Sequence, residues 1–218
     1  MVKIVLFAAL LIFNYFHALK KIEPIVCKKP NDFWHVIAPP GTGKTTLAAM
    51  LVDKARKEKR KVYSNVPIRG AIKFEVKDLG KILFQHAKLI IDEGGSDLNN
   101  RNWQNNLSQK AMEFIKKHRH YDVDVYIFSQ SPNDIDVKFR DLVTRKYLLD
   151  KFKPFVVKSL SLKKVMKLEG GQIVEYLEEN AEETFKFFVP PYWAYFNSWD
   201  RKMDLEEKEG IYYTALDL

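Results

Sequence analysis

Cysteine is almost absent: Cys27 stands alone among 218 residues. That excludes an internal disulfide and a cysteine-rich metal site, and it fits a reducing, cytosolic location for the main domain. Internal repeats and low-complexity runs are missing as well. Acidic residues are in short supply. Asp and Glu number 28 against 36 Lys and Arg, for a net charge of +8 and a pI near 9.3. Such a balance allows an acidic partner, either nucleic acid or an anionic membrane surface, without choosing between them. Long apolar runs are scarce too. The longest, Ile4 to Leu19, holds sixteen residues, about 24 Å of helix against a hydrocarbon core of roughly 30 Å. Three readings compete for it: a short membrane anchor, a buried or interfacial helix, and a cleaved signal peptide. The signal-peptide reading lacks a small-x-small cleavage site and is followed at once by Lys20-Lys21. The anchor, with Lys20, Lys21, Lys28 and Lys29 on its cytoplasmic side, is the expectation.

The chemistry begins at Ala38-Pro39-Pro40-Gly41-Thr42-Gly43-Lys44-Thr45. This is a phosphate-binding loop pattern with Ala38 where the strict form has glycine. The apolar residues Phe33 to Ile37 predict a strand before it, and Thr46 onward predicts a helix to about Lys57. A loop opening a helix aims backbone N–H groups at an anion. Gly41 and Gly43 let the chain curl with no Cβ in the way. Pro39, Pro40, Thr42 and Thr46 complete the candidate nucleotide cradle. Lys44 is placed to reach the β- and γ-phosphates, and the Thr45 hydroxyl to ligate Mg²⁺.

A second motif is Lys88-Leu89-Ile90-Ile91-Asp92-Glu93. An apolar strand delivers Asp92 to its C-terminal end, the edge where open α/β sheets bind ligands. Asp92 is the candidate Mg²⁺ partner and Glu93 the group that orients and deprotonates the attacking water. The spacing from Lys44 to Asp92 leaves room for helix, strand and helix, so an extra strand is expected between the two motif strands. With Glu93, this marks the catalytic-glutamate (ASCE) division. An Asn-Lys-x-Asp guanine motif is absent, which favours ATP.

The rest of the chain reads in order. Ile22 to Asp32 is a linker with Pro24 and Pro30. Lys54 to Lys61 is a basic run, read as a solvated helix end suiting the dipole rather than a DNA contact. Val62 to Val66 is a strand, Gly70 to Glu75 extended, and Val76 to Phe84 helical. A helix over Ser108 to His118 closes in His118-Arg119-His120, whose i,i+2 histidines point apart on a helix rather than toward one metal. Val123 to Phe128 is a strand whose tip carries Gln130, a candidate γ-phosphate sensor, with Ser129 in reserve. Arg140 is the candidate arginine finger, donated to a neighbouring subunit, with Arg119 and Arg145 as rivals. Val143 to Leu149 and Pro154 to Leu160 read as paired strands, and Lys164 to Leu168 and Gln172 to Leu177 as a hairpin across Gly170-Gly171. The aromatic stretch Phe185 to Phe196 is read as packing on the body, with base stacking on single-stranded DNA as the alternative. The expected organisation is a hydrophobic helix at 1–21, linker 22–32, ATPase core 33–150, β-rich extension 151–200 and polar tail 201–218.

These motifs together resemble a known family. The phosphate loop, Ile91-Asp92-Glu93, His118-Arg119-His120, the strand ending in Gln130, Ser131-Pro132-x-x-Ile135-Asp136 and Arg140 follow the order seen in the Zot-like family, the zonular occludens toxin N-terminal domain. The similarity spans about residues 33 to 200. It implies a P-loop ATPase with a mostly parallel sheet sandwiched by helices and a C-terminal β-hairpin extension, related to FtsK/HerA-type DNA pumps. It further implies Mg-ATP as cofactor and a homo-oligomer at the host inner membrane. The activity implied is filamentous-type virion assembly and export of single-stranded DNA, with phage assembly or coat proteins as partners. Two alternatives stand beside it: a double-stranded DNA-packaging ATPase of a membrane-containing virus, and an ATP-gated assembly scaffold with little turnover. Many phage relatives carry their membrane helix near the C-terminus, whereas the apolar span here is N-terminal. The toxin activity in the family's name is therefore not implied.

Overall fold

The computed structural model describes residues 7–13, 31–92, 107–153, 155–170 and 172–196. Strands β1 (Phe33–Ile37), β2 (Lys61–Ser64), β3 (Ile72–Lys73), β4 (Ala87–Ile91), β5 (Val123–Ser129) and β6 (Arg145–Lys153) pair in parallel, in the spatial order β3-β2-β4-β5-β1-β6. The sheet then continues antiparallel into β7 (Val156–Glu169), which pairs with β8 (Gln172–Glu179) and, at its other end, with β9 (Phe185–Phe188). Strand β5 lies between β1 and β4, the two motif strands; the strand β2 that the chain forms between Lys44 and Asp92 lies instead on the outer side of β4.

The apolar strands are buried on both faces, as parallel strands covered by helices must be. Alternation divides them cleanly. Trp34, Val36, Ile90, Tyr126 and Phe128 face helix α1 (Lys44–Lys57). Phe33, Leu89, Ile91, Val125 and Ile127 face helix α2 (Leu107–Lys117) and the short α3 (Val137–Arg140). Two buried ion pairs fasten the end of α1 and the start of β2 to the sheet. Lys88, 1% exposed, meets Glu58 at 2.8 Å, and Arg60 reaches Asp124 while donating to the carbonyls of Ala87 and Asp122. The basic run therefore splits. Lys57 pairs with Asp53 on the helix surface, while Arg60 is part of the interior framework.

Three sequence expectations need correction. Val76 to Phe84 is not a helix: only Val76–Asp78 forms a 3-10 turn. Gly80 has φ +78°, and a Cβ there would sit 2.5 Å from the Lys110 backbone, so the chain must turn where α2 crosses it. Pro154 to Leu160 and Lys164 to Leu168 are not two strands but parts of one, the 14-residue β7. Phe185–Phe188 is itself a strand, with Phe185 and Phe187 fully buried. The β-rich region extends the sheet, and β6 runs through residue 150 without a break. Residues 7–13 are helical and, apart from the half-buried Leu11, exposed; the remainder of the Ile4-to-Leu19 run lies outside the described residues. Among those described, no helix is long and apolar enough to cross a membrane.

Candidate nucleotide site

Strands β1, β4 and β5 end together. Ile37 is opposite Ser129 and Ile91 opposite Ile127, so the phosphate loop, Asp92 and Gln130 all emerge at one edge of the sheet. The loop is tied to the strand tip by the Ala38 N–H donating to the Ser129 carbonyl at 2.9 Å. It closes on itself through Thr42, whose N–H and hydroxyl both donate to the Pro39 carbonyl. Gly41 and Gly43 have φ of +72° and +100°, conformations that side-chain-bearing residues seldom adopt. Gly43 caps α1 with no side-chain hydrogen bond, and the first turn holds no acidic residue. The first N–H groups of a helix have no intrahelical partner. This one presents them, with the positive end of the dipole, to the loop's concave side.

Lys44 and Thr45 are half-buried in that first turn, and Thr46 is buried. Lys44 Nζ stands 3.0 Å from the carboxylate of Asp92, a buried residue at the tip of β4. The two sequence motifs are thus in direct contact. Asp92 is fixed from the other side by Asn65, whose side-chain amide donates to the Asp92 carbonyl at 2.9 Å and accepts its N–H at 2.7 Å. Asn65 was not singled out from the sequence; an Asn just past a strand end, two residues before Pro67, is the only signal there. An oxygen donor set of one hydroxyl and one carboxylate beside a phosphate cradle suits a hard cation such as Mg²⁺. Glu93 lies outside the described residues.

Gln130 is exposed at the end of β5, and its N–H, with that of Ser131, donates to the carboxylate of Asp134 at 3.0 and 2.7 Å. Asp134 therefore sets the shape of the loop that carries Gln130. Ser129 is committed elsewhere. Its hydroxyl donates to the Ser131 carbonyl and meets His35 Nε2 at 2.8 Å, beneath the surface. Burial lowers the His35 pKa from 6.5 to about 4, helped by the nearby positive charges of Lys146 and Arg140, so the ring is neutral. Arg140 is partly exposed in α3 and donates to the Asn133 side chain at 2.8 Å. Its rivals are placed differently. Arg145 is buried against Asp32 and Trp34 at the start of β6, and Arg119 precedes β5 at the opposite edge of the sheet. His118 turns inward, with its two ring nitrogens facing the carbonyls of Ile115 and Asn31.

The other wall of the site comes from the extension. A cleft of about 910 Å³ runs between the loop residues Pro39 to Thr46 and the β6–β7 turn. Lys151 overlooks the loop: its Nζ lies 3.8 Å from where a Cβ on Gly41 would stand. Beyond it the cleft is lined by Phe152, Phe155, Trp193 and Phe196.

Fold and site define a P-loop NTPase. Residues 69–154 match the family model described as zonular occludens toxin (Zot). That segment runs from just before β3 to the end of β6, taking in Asp92, Gln130 and Arg140. Among solved structures, the N-terminal domain of zonular occludens toxin from Neisseria meningitidis is similar at TM-score 0.51 and 15% identity, over 78% of this chain and 100% of that one. The genome packaging NTPase B204 from Sulfolobus turreted icosahedral virus 2, in complex with sulfate, gives TM-score 0.46 and 11% identity, over 58% and 77%. The flagellar accessory protein FlaH from Methanocaldococcus jannaschii gives 0.44 and 12%, over 72% and 95%. No curated protein matches the sequence. The likeness to the Zot family thus holds in sequence over the centre of the chain and in fold over most of it.

Proposed function

We propose that this chain is a Mg-dependent ATPase, anchored at a membrane by its N-terminal apolar segment with the ATPase domain on the cytoplasmic side, and that hydrolysis drives virion assembly and movement of single-stranded DNA. The observation that carries the ATPase reading is the contact between Lys44 and Asp92 at a glycine-shaped helix N-terminus. The lysine neutralises a buried carboxylate that would otherwise be costly. Bound Mg-ATP would give each another partner, with Lys44 placed to meet phosphate oxygens and Asp92 to hold the cation. The cation supplies charge neutralisation across the phosphates, and Thr45 and Asp92 would hold it. Glu93, following Asp92 directly, takes the proton of the attacking water, and Gln130 reports the γ-phosphate to the rest of the subunit.

Lys44→Ala should abolish ATP binding. Glu93→Gln should bind ATP and hydrolyse it at least about a hundredfold more slowly, the general-base contribution. Full turnover by purified Glu93→Gln protein sinks the assignment. The polymer is tested by stimulation. A rise in ATPase rate with single-stranded DNA supports extrusion, a rise with duplex alone supports double-stranded packaging, and no response to either supports a slow ATP-gated scaffold.

A further inference from the structure

Most aromatic residues of the extension are packed away. Phe185 and Phe187 are fully buried, and Tyr192 and Tyr195 lie against α1, where the Tyr195 hydroxyl bonds Asp53 at 2.9 Å. Three are not. Trp193 is 54% exposed, Phe152 43% and Phe155 38%, and all three line the cleft beside the phosphate loop. Exposed aromatics gathered in one concave site mark a ligand surface more often than chance exposure does.

Their mounting is rigid. The Phe155 and Trp193 rings meet edge to face at 5.8 Å. The Val189 N–H donates to the Phe155 carbonyl at 2.9 Å, joining the β6–β7 turn to the 3-10 segment Pro190–Tyr195 that carries Trp193. The Arg69 N–H donates to the Tyr195 carbonyl, holding that segment to the body. Phe155 itself has φ +63°, a conformation costly for a bulky residue and kept where the surroundings enforce it. The wall is directly apposed to the loop, since a Cβ on Gly43 would meet Val157 at 3.0 Å.

We propose that Trp193 and Phe155 form the platform for the base of the bound nucleotide, and that a purine is recognised there by its face rather than its edge. The proposal rests on nucleotide binding at the phosphate loop, as argued above. With the phosphates held at the N-terminus of α1, the base falls toward this wall. Apart from Lys151 on the phosphate side, the extension contributes apolar and aromatic side chains to the cleft: Phe152, Phe155, Val156, Val157, Trp193 and Phe196 among them. Stacking of this kind tolerates any base with a large π-face. The site should therefore prefer purines to pyrimidines and distinguish ATP from GTP only weakly.

Calorimetric titration of the full chain with ATP, GTP, CTP and tripolyphosphate tests this. Wild type should bind ATP and GTP within about threefold of one another and CTP more weakly. Trp193→Ala should weaken ATP and GTP by about tenfold and leave tripolyphosphate unchanged. Trp193→Phe should recover most of the loss, and Phe155→Ala, read beside its thermal unfolding curve, should repeat it. The platform is overturned by unchanged ATP affinity in both alanine variants or by an equal loss for tripolyphosphate. The nucleotide reading beneath it fails separately, through wild-type protein that binds neither ATP nor tripolyphosphate, or through Lys44→Ala protein that binds both normally.

Discussion

At the scale of single residues, the best-defined group near the site is one the motifs do not mention. His35 lies on β1, 1% exposed, bonded through Nε2 to Ser129 and with no partner at Nδ1 among the described residues. Burial is the main reason its pKa falls to about 4. In the unfolded chain the ring titrates near 6.5, so between those values the unfolded state binds the extra proton and the native state does not. Stability from this group is therefore present above about pH 6.5 and lost as the pH falls toward 4, on the order of 3 kcal/mol across that window. Chemical denaturation at pH 7 and pH 4.5 should show wild type losing about 2–3 kcal/mol more than His35→Gln. Equal losses would show that the ring is solvated in solution. The same histidine holds the tip of β5 under Gln130, which is why Ser129, in reserve from the sequence, is structural here. Lys44 and Asp92 were legible because their chemistry fixes both residue type and spacing. His35, Asn65 and Asp134 were not, because each is defined only by a neighbour 27 or more residues away or by the fold of one loop.

At the scale of elements, the glycines of the phosphate loop show how closely two distant segments are fitted. Gly43 has φ +100°, and an added Cβ would stand 3.0 Å from Val157 Cγ2 of β7. Gly43→Ala therefore combines backbone strain with overpacking and should cost about 2–4 kcal/mol. It should also lower ATP affinity, because the helix N-terminus shifts. Gly170 is the comparison. It has φ +57° at the β7–β8 turn with nothing within 4 Å, so Gly170→Ala carries the strain alone, about 1 kcal/mol, and leaves ATP binding intact. Urea unfolding and calorimetry on the two variants separate these effects; a Gly43→Ala protein as stable as Gly170→Ala would refute the close fit. Element type was readable from pattern wherever burial was two-sided, as in β1, β4 and β5, whose apolar runs end in motif residues. It failed at Val76 to Phe84, where Val76, Leu79 and Phe84 mimic a helical stripe but are buried from an irregular path that Gly80 allows beneath α2. It also failed at Phe185–Phe188, where β9 exists only because β7 offers it an edge.

At the scale of the whole molecule, an extra strand between the two motif strands was expected, although the one that fills the place, β5, comes from beyond the second motif, and the nucleotide cleft was not foreseen. One wall comes from residues 39–46 and the other from residues 151–196, and no local pattern announces that β6 and β7 return to cover the phosphate loop. Lys151 already overlooks the phosphate loop from the same subunit, and the three candidate arginines differ in what they can reach. Arg145 is engaged with Asp32 in the interior, and Arg119 sits at the opposite sheet edge. Arg140 is partly exposed, in the α3 that follows the Gln130 loop, and its hydrogen bond to Asn133 is one that a phosphate would outcompete. If Arg140 serves a neighbouring subunit, Arg140→Ala protein should keep its ATP affinity and lose turnover by about a thousandfold. Mixing decides between cis and trans action. Arg140→Ala subunits retain Glu93, and Glu93→Gln subunits retain Arg140, so an equal mixture rebuilds about a quarter of the sites when the arginine crosses the interface. Activity that returns on mixing two inactive proteins establishes an oligomer with shared sites. Activity that stays absent in mixtures shown to co-assemble places the arginine in its own subunit, and a monomer by light scattering in the presence of Mg-ATP removes the finger altogether.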